Sequence, residues 1–281
     1  MIPASFAYQR ATSIEDALAR LAATPGGKLL AGGHSLVPLM KMRLAEPAAL
    51  IDLARIPGFA GIREVEQGLE IGAGTTHAEV AASPLIAARV PVLAETAAEI
   101  GDPQVRNRGT MGGSLAHADP AADYPATLLA LDARISIQGP RGSRHVHAGD
   151  FFQGLFTVDL APDEIIVAVR VPAVKAAAYA KLHQRASHFA IVGVAAAVDV
   201  AGGVVRAARV GLTGAASHAM RLTAVEQAIV GQRAAPEAIA AAAALATAED
   251  VSGDIHASEG YRRAMIPVFT RRALERAVAR A

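Results

Sequence analysis

Apolar residues recur at two periods along this chain of 281 residues, and each change of period marks an element. Near the start, Ile14, Ala17, Leu18 and Leu21 share one helical face in "SIEDALARLAAT". Ser13 stands at the N-cap position and Asp16 follows three residues later, close to a capping box. Pro25-Gly26-Gly27 ends that helix. "KLLAGG" predicts a buried strand, the segment around Pro38 a short helix capped at Ser35, and "ALIDLARI" a second strand with Pro57-Gly58 behind it. Together they make a βαβ-like opening of about 55 residues.

Ile62, Val65, Leu69 and Ile71 flank a Gln67-Gly68 turn, as in a hairpin. A helix from about Thr76 comes next, and "PVLAETAAEIGD" predicts another before Pro103. "DPQVRNRGTMGGSLAHADP" has no period and reads as a long glycine-rich loop. "PAADYPATLLALD" predicts a helix with Asp119 as N-cap and Pro120 at its first position. "ARISIQGPRGSRHVHA" is a strand pair, and "EIIVAVRVP" a strand stopped by Pro172. Beyond residue 174 come strands joined at a Gly202-Gly203 turn, two Ala-rich helices, and a basic terminal helix, "PVFTRRALERAVARA".

Composition narrows the function. Hydrophobic residues reach 52%, but much of this is Ala, and no uncharged apolar run reaches the roughly 18 residues of a membrane helix. "MIPASFAYQRATS" lacks the pattern of a secretory signal, so a cytoplasmic protein is expected. With 27 basic and 26 acidic residues the net charge is +1, which gives no electrostatic footprint for nucleic acid. Cys is absent, which excludes disulfides, thiolate nucleophiles and cysteine-ligated iron–sulfur clusters in this chain. Any redox chemistry here needs an organic cofactor.

Two glycine segments carry the candidate chemistry. In the first, Gly32 and Gly33 leave a strand and Ser35 precedes a helix. Unsatisfied N–H groups at such a junction form an anion site, and missing Cβ atoms let a phosphate come close. In the second, Gly109, Thr110, Gly112, Gly113 and Ser114 repeat the device, followed by Asp119 and Asp123. Neither segment is GxGxxG or ends in GK[ST], so Rossmann and P-loop sites are not supported. From the residues alone, a nucleotide site and a pair of plain turns both stand. Arg106 or Arg108 would pair with phosphate or with Asp102, and His145 and His147 share one face of a strand without a third metal ligand. Arg271, Arg272, Arg276 and Arg280 give the terminal helix either a solvated face or a docking face.

"AGGHSLVPLMKMRL", "IGAGTTHAEV" and "IGDPQVRNRGTMGGSLAHADPAADYPATLLALDARISI", in this order, resemble the FAD-binding medium subunits of the molybdenum hydroxylases, the group of the carbon monoxide and xanthine dehydrogenases. The resemblance implies an α+β fold: a two-lobed FAD domain of the vanillyl-alcohol-oxidase (PCMH) type at 1–174, with lobes of about 1–57 and 58–174, then a smaller C-terminal α+β domain at 175–281. It implies that Ala31, Gly32, Gly33, His34 and Ser35, with Thr110, Met111, Gly112, Gly113 and Ser114, wrap the FAD pyrophosphate through backbone N–H groups. Ile100 would pack on the cofactor and Asp123 would accept from one of its hydroxyls; Ile166 and Lys181 match further contact positions. Phe189 falls where relatives often carry a Tyr beside the flavin, and Ser114 where Asn or Asp is common. His34 adds either a side-chain contact or only its backbone.

The resemblance also implies partners: a molybdopterin large subunit and an iron–sulfur small subunit, with FAD here passing electrons to NAD, a quinone or oxygen. No catalytic base and no metal ligand are expected in this chain. Two other readings remain, a self-contained FAD oxidoreductase of the same fold and an interaction protein that has lost its cofactor.

Overall fold

The computed structural model of the protein describes residues 2–281. β1 (Ala7–Arg10), α1 (Ile14–Ala23), β2 (Gly27–Leu30), α2 (Leu36–Lys41) and β3 (Ala49–Asp52) form a parallel sheet in the order β1-β3-β2. Ser13 caps α1, its hydroxyl accepting from the Asp16 N–H at 3.1 Å. Asp16 itself reaches back to Thr12 and across to Arg20, so the box stays open. Ser35 does not cap α2 through its side chain, contrary to expectation. The edge strand β1 shows no apolar alternation and exists because central β3 offers it a ladder.

β4 (Ile62–Val65) and β5 (Gly68–Gly72) make the expected hairpin, turning at Glu66-Gln67. Short helices follow: α3 (His77–Ala82), α4 (Pro84–Arg89), α5 (Pro91–Ala98), α6 (Pro103–Arg106), α7 (Met111–His117) and α8 (Tyr124–Ala130). Thr76 and Glu79 close a full capping box on α3. The stretch expected as a long loop therefore contains two helices. Asp102 caps α6 and Thr110 caps α7, so the missing apolar period hid two well-capped starts. α8 begins four residues later than expected, because Asp119 spends its carboxylate on a turn to the Ala121 N–H and Asp123 takes the N-cap position.

β6 (Arg134–Gly139), β7 (Gly142–His147), α9 (Ala148–Phe151), β8 (Phe152–Gly154), β9 (Thr157–Val158) and β10 (Ile165–Pro172) complete the first half. Its main sheet is antiparallel, in the order β4-β5-β10-β6-β7. The second half begins with β11 (Ala177–His183), β12 (Ala190–Ala201), β13 (Val204–Thr213) and β14 (Met220–Arg221), paired in that order. Gly202 and Gly203 both take positive φ at the β12–β13 turn, as a two-residue hairpin of this twist demands. α10 (Thr223–Ile229), α11 (Pro236–Ala243) and α12 (Glu259–Val278) cover one face. α12 starts eight residues before Pro267, which sits inside it rather than at its head; Ile266, Phe269, Ala273 and Leu274 pack into the core and hold the helix through the lost bond. Arg276 and Arg280 are fastened to the carbonyls of Tyr179 and Ala177, and Arg280 also to Glu95, so neither is free for a docking face.

Two cores meet at the C-terminal sheet. Ala178 and Ala180 point into the core beneath α10 to α12, whereas Ala177 and Tyr179 belong to the core of the first half. The period of two along β11 thus makes the sheet a shared wall. Against it lies α8, every residue of which is buried, consistent with a helix apolar on all sides. Contact at this seam is backbone to backbone. A Cβ at Gly211 would overlap the Ala126 carbonyl oxygen and stand 2.9 Å from its carbon. The Gly214 N–H donates to the Pro120 carbonyl at 2.8 Å, and the single hydroxyl proton of Thr213 is shared between the carbonyls of Pro120 and Ala122, at 2.9 and 2.7 Å. Gly211→Ala is therefore expected to destabilise the chain by about 3 kcal/mol, the upper part of the overpacking range. Urea unfolding reads this directly, and a loss below about 0.5 kcal/mol would mean that the seam yields.

Candidate functional site

The two glycine segments touch. A Cβ at Gly32 would overlap the Arg108 carbonyl oxygen and approach the Gly109 Cα to 2.9 Å, and one at Gly113 would face the Ala31 Cβ at 3.8 Å. Gly32 is thus required by the neighbouring segment itself. Gly33 is required by conformation, since its φ of +72° lies in the left-handed region. That turn swings the chain out of the parallel sheet. Among the described residues, no backbone or side-chain acceptor takes the N–H groups of Ala31, Gly32, Gly33, His34 or Ser35. Five consecutive donors at the end of a strand form a nest for anionic oxygens.

The second segment differs from expectation. Met111 donates to the Thr75 carbonyl at 2.9 Å, Gly112 to Ala73 at 2.8 Å, and Ser114 to Thr110 at 3.0 Å. Gly113 donates to the Thr110 hydroxyl at 3.2 Å. Two of these N–H groups are thus taken by the Ala73–Thr75 segment and two within the capped helix itself, and the Met111 side chain is fully buried. Among the described residues, the N–H of Thr110 and the hydroxyl of Ser114 remain without partners. The segment backs the donor loop more than it mirrors it.

Asp123 provides the acceptor chemistry. Its side chain makes no cap bond to α8 and turns instead towards β11. Lys181 Nζ lies 2.8 Å from Asp123 Oδ1 and 2.9 Å from Oδ2, and Tyr179 donates its hydroxyl to Oδ1 at 2.6 Å. Lys181 also donates to the Glu99 carbonyl at 2.9 Å, next to Ile100. The side chains of Lys181 and Asp123 are 2% and 4% exposed. Burial pushes the Asp123 carboxyl up to about 6, against the opposing pull of Lys181 and Tyr179. Ile100, Asp123 and Lys181 are thereby brought together. Tyr179 was not foreseen, although its place between Ala177 and Lys181 on one strand face could have revealed it.

Below the glycine junction lies His77, also unforeseen as part of the site. It is 5% exposed, meets Tyr124 edge-on with ring centroids 5.2 Å apart, and fills the space a Gly109 Cβ would need. Its Nδ1 and the Tyr124 hydroxyl are buried without partners. Burial, with His34 and Arg106 nearby, lowers its pKa to about 4. The exposed His34 ring has no hydrogen-bond partner in the protein. Arg106 holds the carbonyls of Ile100 and Gly101 and, among the described residues, pairs with no carboxylate, so of its two candidate roles the ion pair with Asp102 is not the one it makes.

Other candidates lie apart. Ile166 is buried in β10 opposite Ile137. Phe189 is half-exposed on the β11–β12 turn, where Gln184 accepts from Ala186 and from the Ser187 hydroxyl. It lines a cavity of about 250 Å³ with Phe156, Pro120 and Arg262; a second cavity, of about 440 Å³, lies by the β6–β7 turn. Neither is lined by the glycine segments. His145 and His147 bond separately, to Ser136 and towards Asp132, and no cluster able to hold a metal occurs among the described residues. No helix among them is long and apolar enough to cross a membrane.

The chain is similar to known proteins along its whole length. The family model for the FAD binding domain in molybdopterin dehydrogenase matches residues 4–174, and that for the CO dehydrogenase flavoprotein C-terminal domain matches 177–277. The chain is 41% identical over 289 residues to the carbon monoxide dehydrogenase medium chain of Hydrogenophaga pseudoflava, covering 100% of this chain and 99% of that one. It is 37% identical to the nicotine 6-hydroxylase medium subunit of Paenarthrobacter nicotinovorans, with 97% of each covered. A solved structure of the Hydrogenophaga carbon monoxide dehydrogenase superposes over 100% of both chains, with a TM-score of 0.96 and 42% identity.

His77 under the junction has a measurable consequence. Its folded pKa of about 4 lies below the usual 6.5, so the unfolded chain takes up the proton first. That contribution is complete above pH 6.5 and is lost as pH falls towards 4, a change of about 3 kcal/mol. His77→Phe keeps a ring in place and should flatten this acid limb. Equal slopes for both proteins in denaturant titrations from pH 7 to 4 would contradict it.

Proposed function

The chain belongs to the family of FAD-binding medium subunits of the molybdenum hydroxylases, and from that premise we propose that it is the electron-transfer subunit of such a complex. The observation that carries the reading is the run of five unused N–H donors at Ala31 to Ser35, held open by Gly33. A pyrophosphate is the part of a dinucleotide that such donors suit, because its oxygens only accept. The residues present thus fit FAD. Ala31 to Ser35 and the Thr110 N–H would hold the pyrophosphate, and the Ser114 hydroxyl would add one side-chain bond. Asp123, ionised and fixed, would accept from a cofactor hydroxyl, with Ile100 beside it. Phe189 would present an aromatic face without the hydroxyl of a Tyr. For Ile166, buried in its sheet, any contribution would come from the backbone.

FAD, when bound, supplies the exchange between paired and single electrons. This chain's part is to place the cofactor, keep water from its buried edge and leave another edge open to partners. The partners inferred are an iron–sulfur small subunit and a molybdopterin large subunit, with NAD, a quinone or oxygen as final acceptor. The absence of Cys from the chain fits that division, since thiolate-held clusters must then reside elsewhere. No residue here need act as a base on the organic substrate.

Gly33→Ala places a Cβ in the left-handed region at a cost of roughly 1–2 kcal/mol, so FAD affinity should fall about tenfold. Flavin absorbance after dialysis of the loaded chain measures it, and full retention in the variant would refute the donor-loop assignment. Co-expression with the neighbouring subunits should yield a stable three-chain complex. A lone chain that turns over an organic substrate would instead support a self-contained oxidoreductase.

A further inference from the structure

We propose that Tyr179 is a positioning residue for the cofactor site: its hydroxyl aims the Asp123 carboxylate and keeps it ionised, so that the C-terminal sheet completes a site whose other parts lie in the first half of the chain. The proposal rests on the FAD reading above and adds a residue, a direction of control and a pH response to it.

Three observations support it. The first is the division of donors. Tyr179 donates to Asp123 Oδ1 at 2.6 Å and Lys181 to Oδ2 at 2.9 Å, with Lys181 Nζ also 2.8 Å from Oδ1 as an ion-pair contact. A carboxylate oxygen accepts about two hydrogen bonds, so each oxygen keeps acceptor capacity for a ligand hydroxyl. With both oxygens tied to β11, the plane of the carboxylate is fixed, and Tyr179 supplies the hydrogen bond that holds the Oδ1 side. The second is the local conflict at Asp123. It stands at the N-cap position of α8 yet gives no bond to that helix, so donors from another domain must hold it.

The third is the fixing of Tyr179 itself. The ring is 5% exposed and lies in the core of the first half, although its strand belongs to the C-terminal sheet. On β12, at the position opposite Lys181, a Cβ at Gly193 would overlap the Tyr179 hydroxyl and stand 3.0 Å from Cζ. A glycine inside a twelve-residue strand weakens the strand unless another group needs its space. Here the Tyr179 hydroxyl occupies that space, and the ring cannot swing away from Asp123 without losing its place in the core.

The charged and titratable groups facing Asp123 are Lys181 and Tyr179 from β11, Glu99 beyond the end of α5, and Tyr124 on its own helix. Burial and Glu99 favour the protonated carboxyl; Lys181 and Tyr179 favour the ionised one. Removing the Tyr179 hydroxyl therefore raises the protonated fraction near neutral pH. A protonated carboxyl loses its charge-assisted bond to a ligand hydroxyl.

The test uses the full chain and FAD. Wild-type affinity should decline as pH falls through about 6. In Tyr179→Phe the midpoint should rise by about one unit, so affinity should fall about twofold at pH 7 and about tenfold at pH 5. Asp123→Asn should flatten the profile, and adding Tyr179→Phe to it should change affinity at pH 5 less than about twofold. Carbon-13 NMR of the flavin-free chain should show the Asp123 carboxyl titrating higher in Tyr179→Phe. An unmoved midpoint in folded Tyr179→Phe, or an equal loss in the Asp123→Asn background, overturns the proposal. An unmoved NMR titration overturns the Tyr179–Asp123 link itself. A wild-type chain that takes up no FAD at any pH overturns the reading beneath, and is told apart because the NMR shift does not involve the cofactor.

Discussion

A carboxylate buried at the head of a buried helix is the constraint on which the two halves of this protein converge. Asp123 is 4% exposed and opens α8, the helix enclosed between the first core and the C-terminal sheet. An ionised group there loses much of its hydration, a cost of several kcal/mol that attraction to one lysine offsets only with good geometry. The geometry is supplied from across the seam by Lys181 and Tyr179 on one face of β11. An apolar trio of similar volume would stabilise the seam at least as well. A charged cluster in this place is thus better explained by ligand chemistry than by stability.

The seam that holds the cluster is rigid because it is built from backbone. Gly211 lets β13 lie directly on the Ala126 carbonyl, and Thr213 ties the strand to the approach of α8 through the carbonyls of Pro120 and Ala122. Relative motion of the halves would break the Gly214–Pro120 backbone bond and the Thr213 hydroxyl contacts together. Arg280, bridging Glu95 and the Ala177 carbonyl, closes the far end. The position of Asp123 relative to β11 is in this way a property of the whole fold rather than of one side chain.

Periodic elements were legible in the sequence, and elements shaped by tertiary contact were not. α1, the β4–β5 hairpin and the β12–β13 turn announce themselves through spacing and Gly position. α7 could not, because Gly112 and Gly113 are poor helix formers. It forms because Gly112 fits against Ala73, where a Cβ would be 2.6 Å away, and because Thr110 caps it. The start of α8 was misplaced for a related reason: Asp119-Pro120 has the composition of a helix start, yet Asp119 makes a turn and the helix begins at the Asp with the better tertiary partners. Of the site, the donor loop could be read from "AGGHS", since glycine after a strand is a local signal. Tyr179 and His77 act through contacts 56 and 32 residues away in sequence, with Asp123 and Gly109; strand alternation puts Tyr179 on the face of Lys181, but no local pattern names the partner of either ring.

In the proposed site the donor loop and the carboxylate would divide the work of binding along a physical line. Backbone N–H groups do not titrate, so the hold of Ala31 to Ser35 on an anion is constant across ordinary pH and changes only if the backbone does. Asp123 does titrate, and burial brings its transition to about 6, close to neutrality. Affinity can therefore be anchored at one end and graded at the other. The graded end is the one that depends on the C-terminal sheet. A partner that pressed on that sheet would leave the pyrophosphate nest unchanged and act through Tyr179 and Lys181, the two groups that set the charge and aim of Asp123. Communication across the seam then requires no movement of the loop, only a change of a few tenths of an ångström in hydrogen bonds to one carboxylate, where strength falls steeply with geometry.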